Sequence, residues 1–408
     1  RQRADAIALQ EAFPELNVPN PVQNWGQPER QAYRFALNGA YDLDGSEAYV
    51  FSTYGFGSGV TDFNWRNPLT TSAFGESAID PDYDLSETFP AGFSPRFGQD
   101  DNDFALTGGY RSNNDGRFSY DLSAGYGRNQ IEYFMYNSIN ASLGSASPTS
   151  FDIGTLTQSE LTFNADFAYR ATLDFLAEDM TFAFGAEQRT EEYEIGAGVY
   201  ASFAIGPLAP EGFPSGSNGF PGFSPEQSGS SDQTSYAAYV DVEAPITDRW
   251  TVGAAVRFED FSEFGNDTNG KLSPRYEVSP NLALRATAST GFRAPTPGQL
   301  FSERTSQGLD TTTLNIFTLG RYSPQGPIAD VISLRDGVDI LPLEPEESEN
   351  LTAGLAWNSN AGLSATVDVY QIDVTNRLST SAAFSLTDEE RAELAALGVA
   401  GADTITAV

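Results

Sequence analysis

The segment LTFNADFAYRATLDF, residues 161–175, alternates between apolar and polar side chains. Phe163 and Phe167 fall on one face of an extended chain, and Asn164 and Asp166 fall on the other. Successive side chains of a β-strand point to opposite faces, so this period of two predicts a strand with one apolar and one polar face. The run is longer than the ~5–6 residues of a usual globular strand and reaches the ~9–11 residues that cross a bilayer.

Eleven further stretches show the same alternation. They lie near residues 31–42, 46–58, 103–111, 117–128, 180–194, 235–244, 250–259, 270–279, 282–291, 347–357 and 363–370. With the first segment, the sequence predicts about twelve strands.

The connections between these strands alternate between short and long. Tight turns are predicted at DLDGS, SNNDG, LAED, ITDR, VSPN and NSN. Between these turns lie the long segments 59–102, 138–159, 197–233 and 293–345, and one shorter segment, SEFGNDTN (262–269). Consecutive connections of an antiparallel meander lie at opposite ends, so one end is predicted to carry tight turns and the other end long loops.

This pattern is typical of outer-membrane barrels, which have short periplasmic turns and long extracellular loops. A soluble β-sandwich is the alternative, but its loops are of mixed length at both ends and its Greek-key crossings break the order. Strand length and an aromatic content of 12% favour the membrane barrel. The predicted fold class is therefore all-β, as an antiparallel transmembrane β-barrel.

Charged residues on the polar faces are predicted to point into the barrel, because an arginine facing lipid at mid-bilayer costs roughly 2–4 kcal/mol. The predicted inward residues are Asp166, Arg170, Glu187, Arg189, Arg257, Glu259, Arg285 and Asp368. We expect them to hold the barrel wall, or something polar that fills the barrel, through charge-assisted hydrogen bonds. Contact with the substrate is the less favoured alternative.

Composition excludes several classes of function. The chain has no cysteine and no histidine, which excludes disulfides, Cys/His zinc sites and Ser-His-Asp or Cys-His catalysis. A formal net charge of −34 argues against a nucleic-acid partner. The first residues, RQRADAIALQ, lack an initiator Met and an apolar core, and we expect the chain to be the middle of a longer protein.

No metal site or cofactor is predicted. Two acidic clusters, Asp80, Asp82 and Asp84, and Asp100, Asp101 and Asp103, lack the spacing of a calcium loop. Solvated acidic loops are the favoured interpretation of both clusters. Near the C-terminus, LTDEERAELAALG (386–398) predicts a short loop helix capped by Thr387 or Asp388 and ended by Gly398.

Five segments share a further pattern: GQPERQAYRFALNGAYDL near the start, residues 138–167, GAEQRTEEYEIGAG (185–198), GFRAPT (291–296) and LEPEESENLTAGLAW (343–357) followed by VDVYQIDVTNRL (367–378). In this order they resemble the barrel of TonB-dependent outer-membrane receptors. The resemblance covers essentially the whole chain, so residues 1–408 are expected to form part of a larger plugged barrel. The family's plug domain and C-terminal strands are expected to lie outside this sequence.

The resemblance implies a Gram-negative outer-membrane receptor that imports a siderophore, cobalamin or an oligosaccharide. Its expected partners are outer-membrane lipid, the TonB complex through the plug region, and a small-molecule nutrient. A passive porin-like or structural barrel is the alternative. A secreted β-rich glycosidase is less favoured, because nothing in the sequence pairs two carboxylates.

Four loop residues are candidates for ligand contact: Phe213, Phe220, Phe223 and Arg293. The segment 211–232 around the phenylalanines has three acidic residues and no Lys or Arg. Aromatic rings with polar partners suit sugars, whereas a triply anionic siderophore favours clustered arginine. The segment therefore favours a neutral or cationic ligand, such as an oligosaccharide or a neutral chelate. Flexible loops without ligand contact, and for Arg293 a strand end before Pro295, are the alternatives.

Overall fold

The computed structural model describes residues 2–24, 26, 28–112, 116–301, 304–310, 315–359, 361–399, 402 and 405–408, with the backbone alone described for 2, 304–310 and 315–318. Labels run in chain order across two sheets. The large sheet contains β1 (Glu29–Asp42), β2 (Ser46–Asp62), β3 (Arg96–Ser112), β4 (Phe118–Tyr136), β5 (Phe151–Ala171), β6 (Met180–Ala197), β7 (Gly229–Thr247), β8 (Trp250–Phe261), β9 (Gly265–Ser279), β10 (Leu282–Arg293), β13 (Glu346–Asn358) and β14 (Ser364–Thr375). The small sheet contains β11 (Arg304–Asp310), β12 (Asn315–Arg321) and β15 (Ile405–Ala407).

The large sheet is an antiparallel meander in which its twelve strands pair in chain order, with β1 and β14 as its edges. The twelve predicted strands are confirmed. Helices are confined to the connections and termini: α1 (Gln2–Ala12), α2 (Leu85–Thr88), α3 (Tyr200–Phe203), α4 (Pro297–Phe301), α5 (Pro327–Ser333) and α6 (Asp388–Ala396). Within the described part of the chain, no helix is both long and apolar enough to cross a membrane.

Long connections lie at one end of the large sheet and shorter ones at the other, as predicted, with one exception. The predicted segment 262–269 is only a three-residue turn, because β9 already begins at Gly265. Segments 63–95, 137–150, 198–228, 262–264 and 294–345 connect strands at one end of the large sheet, which we call the loop end. Segments 43–45, 113–117, 172–179, 248–249, 280–281 and 359–363 connect them at the other end, which we call the turn end. Residues 113–115 of the predicted SNNDG turn and Asn360 of the predicted NSN turn lie outside the described residues.

Several strands are longer at the loop end than predicted. β5 begins at Phe151 rather than Leu161, and β3 begins at Arg96 rather than Asp103. At the turn end the reverse correction applies to β5, which ends at Ala171, so residues 172–175 belong to the turn. The LAED connection is therefore longer than the tight turn that the sequence predicts.

The two faces of the large sheet differ as the alternation predicts. We call the face that carries Asp166 and its register partners the inner face, and the opposite face the outer face. The outer face exposes large apolar side chains on eleven of the twelve strands: Phe35, Tyr54, Leu106, Leu122, Phe163, Tyr236, Val256, Leu272, Leu284, Leu351 and Val369. β6 carries partly exposed Phe182 and Phe184 on this face. An apolar surface of this extent on a soluble monomer would be unusual.

Two segments from the loop end fold together into a smaller unit. Residues from 322–340 and 384–408 share a hydrophobic cluster that includes Ile332, Leu394 and Ile405. The small sheet joins the same segments, because β15 pairs parallel with β12. The predicted C-terminal helix is confirmed as α6, with Thr387 as its N-cap.

Glu390 links α6 to the segment that follows α5. Its carboxylate accepts hydrogen bonds from Arg335 Nε at 2.6 Å and Nη2 at 2.7 Å, and from the Thr387 backbone N–H at 2.7 Å. The Arg335 guanidinium, followed by the Thr387 amide, lowers the pKa of Glu390 to about 2. The folded unit therefore favours the ionised carboxylate.

Glu390→Gln should destabilise this unit at neutral pH. Because the folded pKa lies below the unfolded one, the stabilisation is complete above the unfolded pKa and is lost as pH falls towards about 2. The expected loss at pH 7 is roughly 1 kcal/mol, since solvent screens this pair. A fluorophore on an Ala392→Cys background would report urea unfolding at pH 7 and pH 3. Glu393→Gln on the same helix is the control, and an equal loss at both pH values would contradict the role given to Glu390.

Candidate functional site: the inner face and the loop layer

Charged residues on the inner face form a network across β6, β7 and β8. Glu187 accepts hydrogen bonds from Arg189 Nη2 at 2.7 Å and from Arg257 Nη2 at 3.3 Å. Arg257 Nε donates to Glu259 at 3.0 Å, and the Ser235 hydroxyl donates to the same carboxylate at 3.1 Å. Four of the predicted inward residues therefore bond to one another, and their role in holding the barrel wall stays a prediction.

Arg285 and Asp368 pair across an intervening strand. Arg285 on β10 lies opposite Gly354 on β13, and Gly354 lies opposite Asp368 on β14. The guanidinium donates to the Asp368 carboxylate at 3.0 and 2.6 Å, in a bidentate arrangement. A side chain at Gly354 would overlap this carboxylate, so the glycine allows the pair to form.

The same arrangement holds Asp166. It lies opposite Gly185 on β6, which lies opposite Tyr239 on β7, and the Tyr239 hydroxyl donates to Asp166 at 2.6 Å. A Cβ atom at Gly185 would lie 2.6 Å from the Tyr239 ring. Tyr49 makes a related contact with a different register: it lies opposite Gly109, and its hydroxyl donates at 2.7 Å to Asp121, two residues from Ser123, which lies opposite Gly109.

Arg170, the remaining predicted inward residue, and Arg293 lie at opposite ends of the large sheet. Arg170 lies at the turn end, where its guanidinium donates to the Gly116 carbonyl at 3.2 Å. Arg293 ends β10 at the loop end, is mostly exposed, and lies 3.4 Å from the Glu346 carboxylate. Pro295 follows as a fully buried residue. The strand thus ends as the sequence indicates, and ligand contact by Arg293 stays a prediction.

Segments 63–95, 137–150 and 198–228 pack together, and we call them the loop layer. Side chains from all three share one hydrophobic cluster: Ala73, Tyr83, Leu85, Phe93, Ile139, Ala141, Leu208 and Phe213. Backbone hydrogen bonds also join them, from Leu208 N–H to the Ser142 carbonyl at 2.9 Å and from Asn218 N–H to the Ile139 carbonyl at 2.9 Å. The loop layer is therefore a packed structure with its own core.

The three candidate phenylalanines belong to this packing. Phe213 and Phe223 are 4% and 6% exposed. Phe220 is partly buried, with its ring centroid 5.1 Å from that of Phe97. In this arrangement Phe213 and Phe223 present little surface to a ligand, and ligand contact by the three rings stays a prediction.

The acidic loop residues act as local hydrogen-bond acceptors. Asp80 accepts from the Ser145 backbone N–H and hydroxyl, both at 2.8 Å, and these bonds hold the pKa of Asp80 below its ordinary value. Asp84 caps α2 through the Ser86 N–H at 2.8 Å. The second cluster, predicted as loop, lies within β3 (Asp100–Asp103). Among the described residues, no group of three or more acidic side chains is arranged to hold a metal ion.

Sequence reasoning missed the residues that complete these arrangements. Tyr239 and Gly354 act through partners on other strands, and Asn140, in segment 137–150, donates to the carbonyls of Ala201 and Ala204 in segment 198–228. A signal for the glycine was available, because Gly354 interrupts the β13 pattern between Thr352 and Ala356. Its partners could be found only with the strand register in hand.

Comparison with known proteins identifies the family to which the chain belongs. The sequence model of the family described as "TonB dependent receptor-like, beta-barrel" matches residues 33–391. The chain therefore belongs to the TonB-dependent receptor-like β-barrel family. No curated protein shows a significant match to the sequence.

Solved structures show the same fold at low identity. They include the siderophore receptor PirA from Acinetobacter baumannii (TM-score 0.51, 13% identity, 86% of this chain and 44% of that chain). A mutant of the ferric enterobactin receptor PfeA from Pseudomonas aeruginosa has a TM-score of 0.53 at 14% identity, over 86% of this chain and 43% of that chain. The RagAB peptide transporter has a TM-score of 0.52 at 12% identity, over 85% and 40%. The chain thus spans less than half the length of each.

Proposed function

We propose that residues 1–408 are part of the barrel domain of an outer-membrane receptor that imports a small-molecule nutrient with energy supplied through TonB. The observation that carries this proposal is the two-faced sheet of a TonB-dependent receptor family member. Its outer face is apolar, its inner face is charged and hydrogen-bonded, and its long connections gather at one end. Outer-membrane lipid, the TonB complex and the nutrient are the proposed partners.

A passive barrel is the alternative that the inner face itself suggests. The arginines and carboxylates of the inner face bond largely to one another, as in a barrel interior that has no site for a particular ligand. Energy dependence separates the two functions. Uptake by the full-length receptor should stop when TonB is deleted or the proton gradient is collapsed, and uptake that continues in both conditions would favour the passive barrel.

The ligand is proposed to be neutral or cationic, such as an oligosaccharide or a neutral chelate. The support is the acidic character of the loop end, where Glu211 and Glu226 lie on a segment without Lys or Arg. PirA and PfeA are siderophore receptors and RagAB is a peptide transporter, so the fold alone serves several ligand chemistries. Growth of a deletion strain on oligosaccharides, neutral chelates and an anionic ferric siderophore would test it. Loss confined to the anionic siderophore would reject the proposal.

The loop end is proposed to be extracellular and the turn end periplasmic. Glu226→Cys at the loop end and Asp248→Cys at the turn end are both at exposed positions, and the chain has no other cysteine. On intact cells a membrane-impermeant maleimide should label the Glu226 variant alone, and after permeabilisation it should label both. Labelling of the Asp248 variant alone on intact cells would reverse the topology.

A further inference from the structure

The short helix α4 covers part of the inner face. It follows β10 directly and contacts β6 and β7. A Cβ atom at Gly298 would lie 3.4 Å from the ring of Tyr193, an inner-face residue of β6, and Leu300 is completely buried. Gln299 secures the start of the helix, because its side-chain oxygen accepts from the Thr296 N–H at 3.0 Å.

Beside α4 the inner face holds polar atoms without partners. Gln233 on β7 lies opposite Glu191 on β6 and is 2% exposed. Glu191 comes two residues before Tyr193 in β6, so both side chains lie on the inner face. Neither its amide nitrogen nor its amide oxygen has a hydrogen-bond partner among the described residues, and the same holds for Arg189 Nε. Buried polar groups of this kind are rare in native proteins, because a buried donor or acceptor without a partner destabilises the fold.

The surrounding charges limit what could bond to these atoms. Glu187, Glu191 and Glu259 contribute three carboxylates, and Arg189 and Arg257 contribute two guanidiniums. The guanidinium Nη2 atoms already bond to Glu187. An anionic ligand would meet a surplus of negative charge, whereas the Gln233 amide offers one donor group and one acceptor to a neutral ligand.

We propose that α4 is an exchangeable cover over a binding site at Gln233 and Arg189, and that a neutral ligand rich in hydroxyl or amide groups takes its place. The ligand satisfies polar atoms that α4 leaves unpaired, so it binds the uncovered state better and shifts the population towards it. Sugar hydroxyls and peptide amides share this chemistry. The inference rests on the proposed function only in that the ligand reaches the inner face from the loop end.

Calorimetric titration of the purified full-length receptor tests the site. The probes are maltohexaose, a neutral hexapeptide with blocked termini, and ferric enterobactin as the anionic comparison. Wild type should bind one of the neutral probes, which identifies its source, and Gln233→Leu should weaken that binding at least ten-fold. The control Thr234→Val, on the opposite face, should change it less than two-fold. Absence of binding by both neutral probes, binding unaffected by Gln233→Leu, or ferric enterobactin as the only ligand would each overturn the proposal.

A reversible crosslink tests the cover. Tyr193→Cys combined with Gly298→Cys brings two thiols within reach of a disulfide in a chain without native cysteine. The oxidised variant should lose binding of the neutral probe, and reduction should restore it. Equal binding in both forms would overturn the cover. Binding is measured without TonB in the titration and in the crosslinking experiment. A failure of energy-dependent uptake would therefore leave both results unchanged, so the proposed function and the binding site are tested separately.

Discussion

Phe163→Arg is expected to block assembly of the full-length receptor into the outer membrane, whereas Asn164→Arg, at the next residue of β5, is expected to be tolerated. Phe163 lies on the outer face with 47% of its surface exposed, near the middle of the strand. An arginine facing lipid there costs about 2–4 kcal/mol, because no water or protein group is available to its charge. The two substitutions introduce the same side chain and differ only in the face on which it lies.

The inner-face position can accept the charge. Asn164 lies opposite Ser123 on β4 and Glu187 on β6, so an arginine there meets hydroxyl and carboxylate partners. Heat-modifiable migration on gels measures the folded fraction in isolated outer membranes, and Phe163→Leu is the apolar control. If both arginine variants assemble equally well, or fail equally, the assignment of the two faces is wrong.

The strands could be predicted because the signal for a two-faced strand is local. β8 runs from Trp250 to Phe261, where alternation predicts 250–259. The prediction fails where the alternation is broken, as in the first part of β5. There a β-bulge shifts the register of β5 opposite Tyr133 and Phe134 of β4. The neighbouring Gly154 has a φ of 116°, a conformation that favours glycine. Phe151 and Ile153 are buried against the loop layer. The first part of β5 therefore lacks the alternation of apolar and polar side chains from which the other strands were predicted.

The inner-face charges could also be predicted, but not their partners. Arg285 and Asp368 are 83 residues apart in sequence, and they meet because Gly354 leaves room between them. The loop phenylalanines were expected to contact a ligand because aromatic rings with polar partners suit sugars. Phe213 instead belongs to a core made by three separate loops, and no single loop sequence contains the information for that packing.

Asn140→Ala is expected to loosen all three segments of the loop layer together. Asn140 is completely buried, and its side-chain nitrogen donates to the carbonyls of Ala201 and Ala204, each at 2.9 Å. Its side-chain oxygen accepts from the Ser142 hydroxyl at 2.7 Å. Alanine would remove these hydrogen bonds at a buried site, at about 1–3 kcal/mol for each group left without a partner. The Ala204 carbonyl keeps the hydrogen bond from the Gly216 N–H. The substitution therefore removes the polar centre that ties segment 137–150 to segment 198–228.

Amide hydrogen exchange of the full-length receptor would measure this loosening. Because the three segments share one hydrophobic cluster, they should open as one cooperative unit, and exchange should rise in 63–95, 137–150 and 198–228 while the middle of β5 stays protected. Ser150→Ala, at an exposed position of the same loop, should leave exchange unchanged. A rise confined to 137–150 would show three independent loops. A joint rise would mean that any ligand entering beneath the loop layer must displace it as a single body, at a free-energy cost set by its shared core.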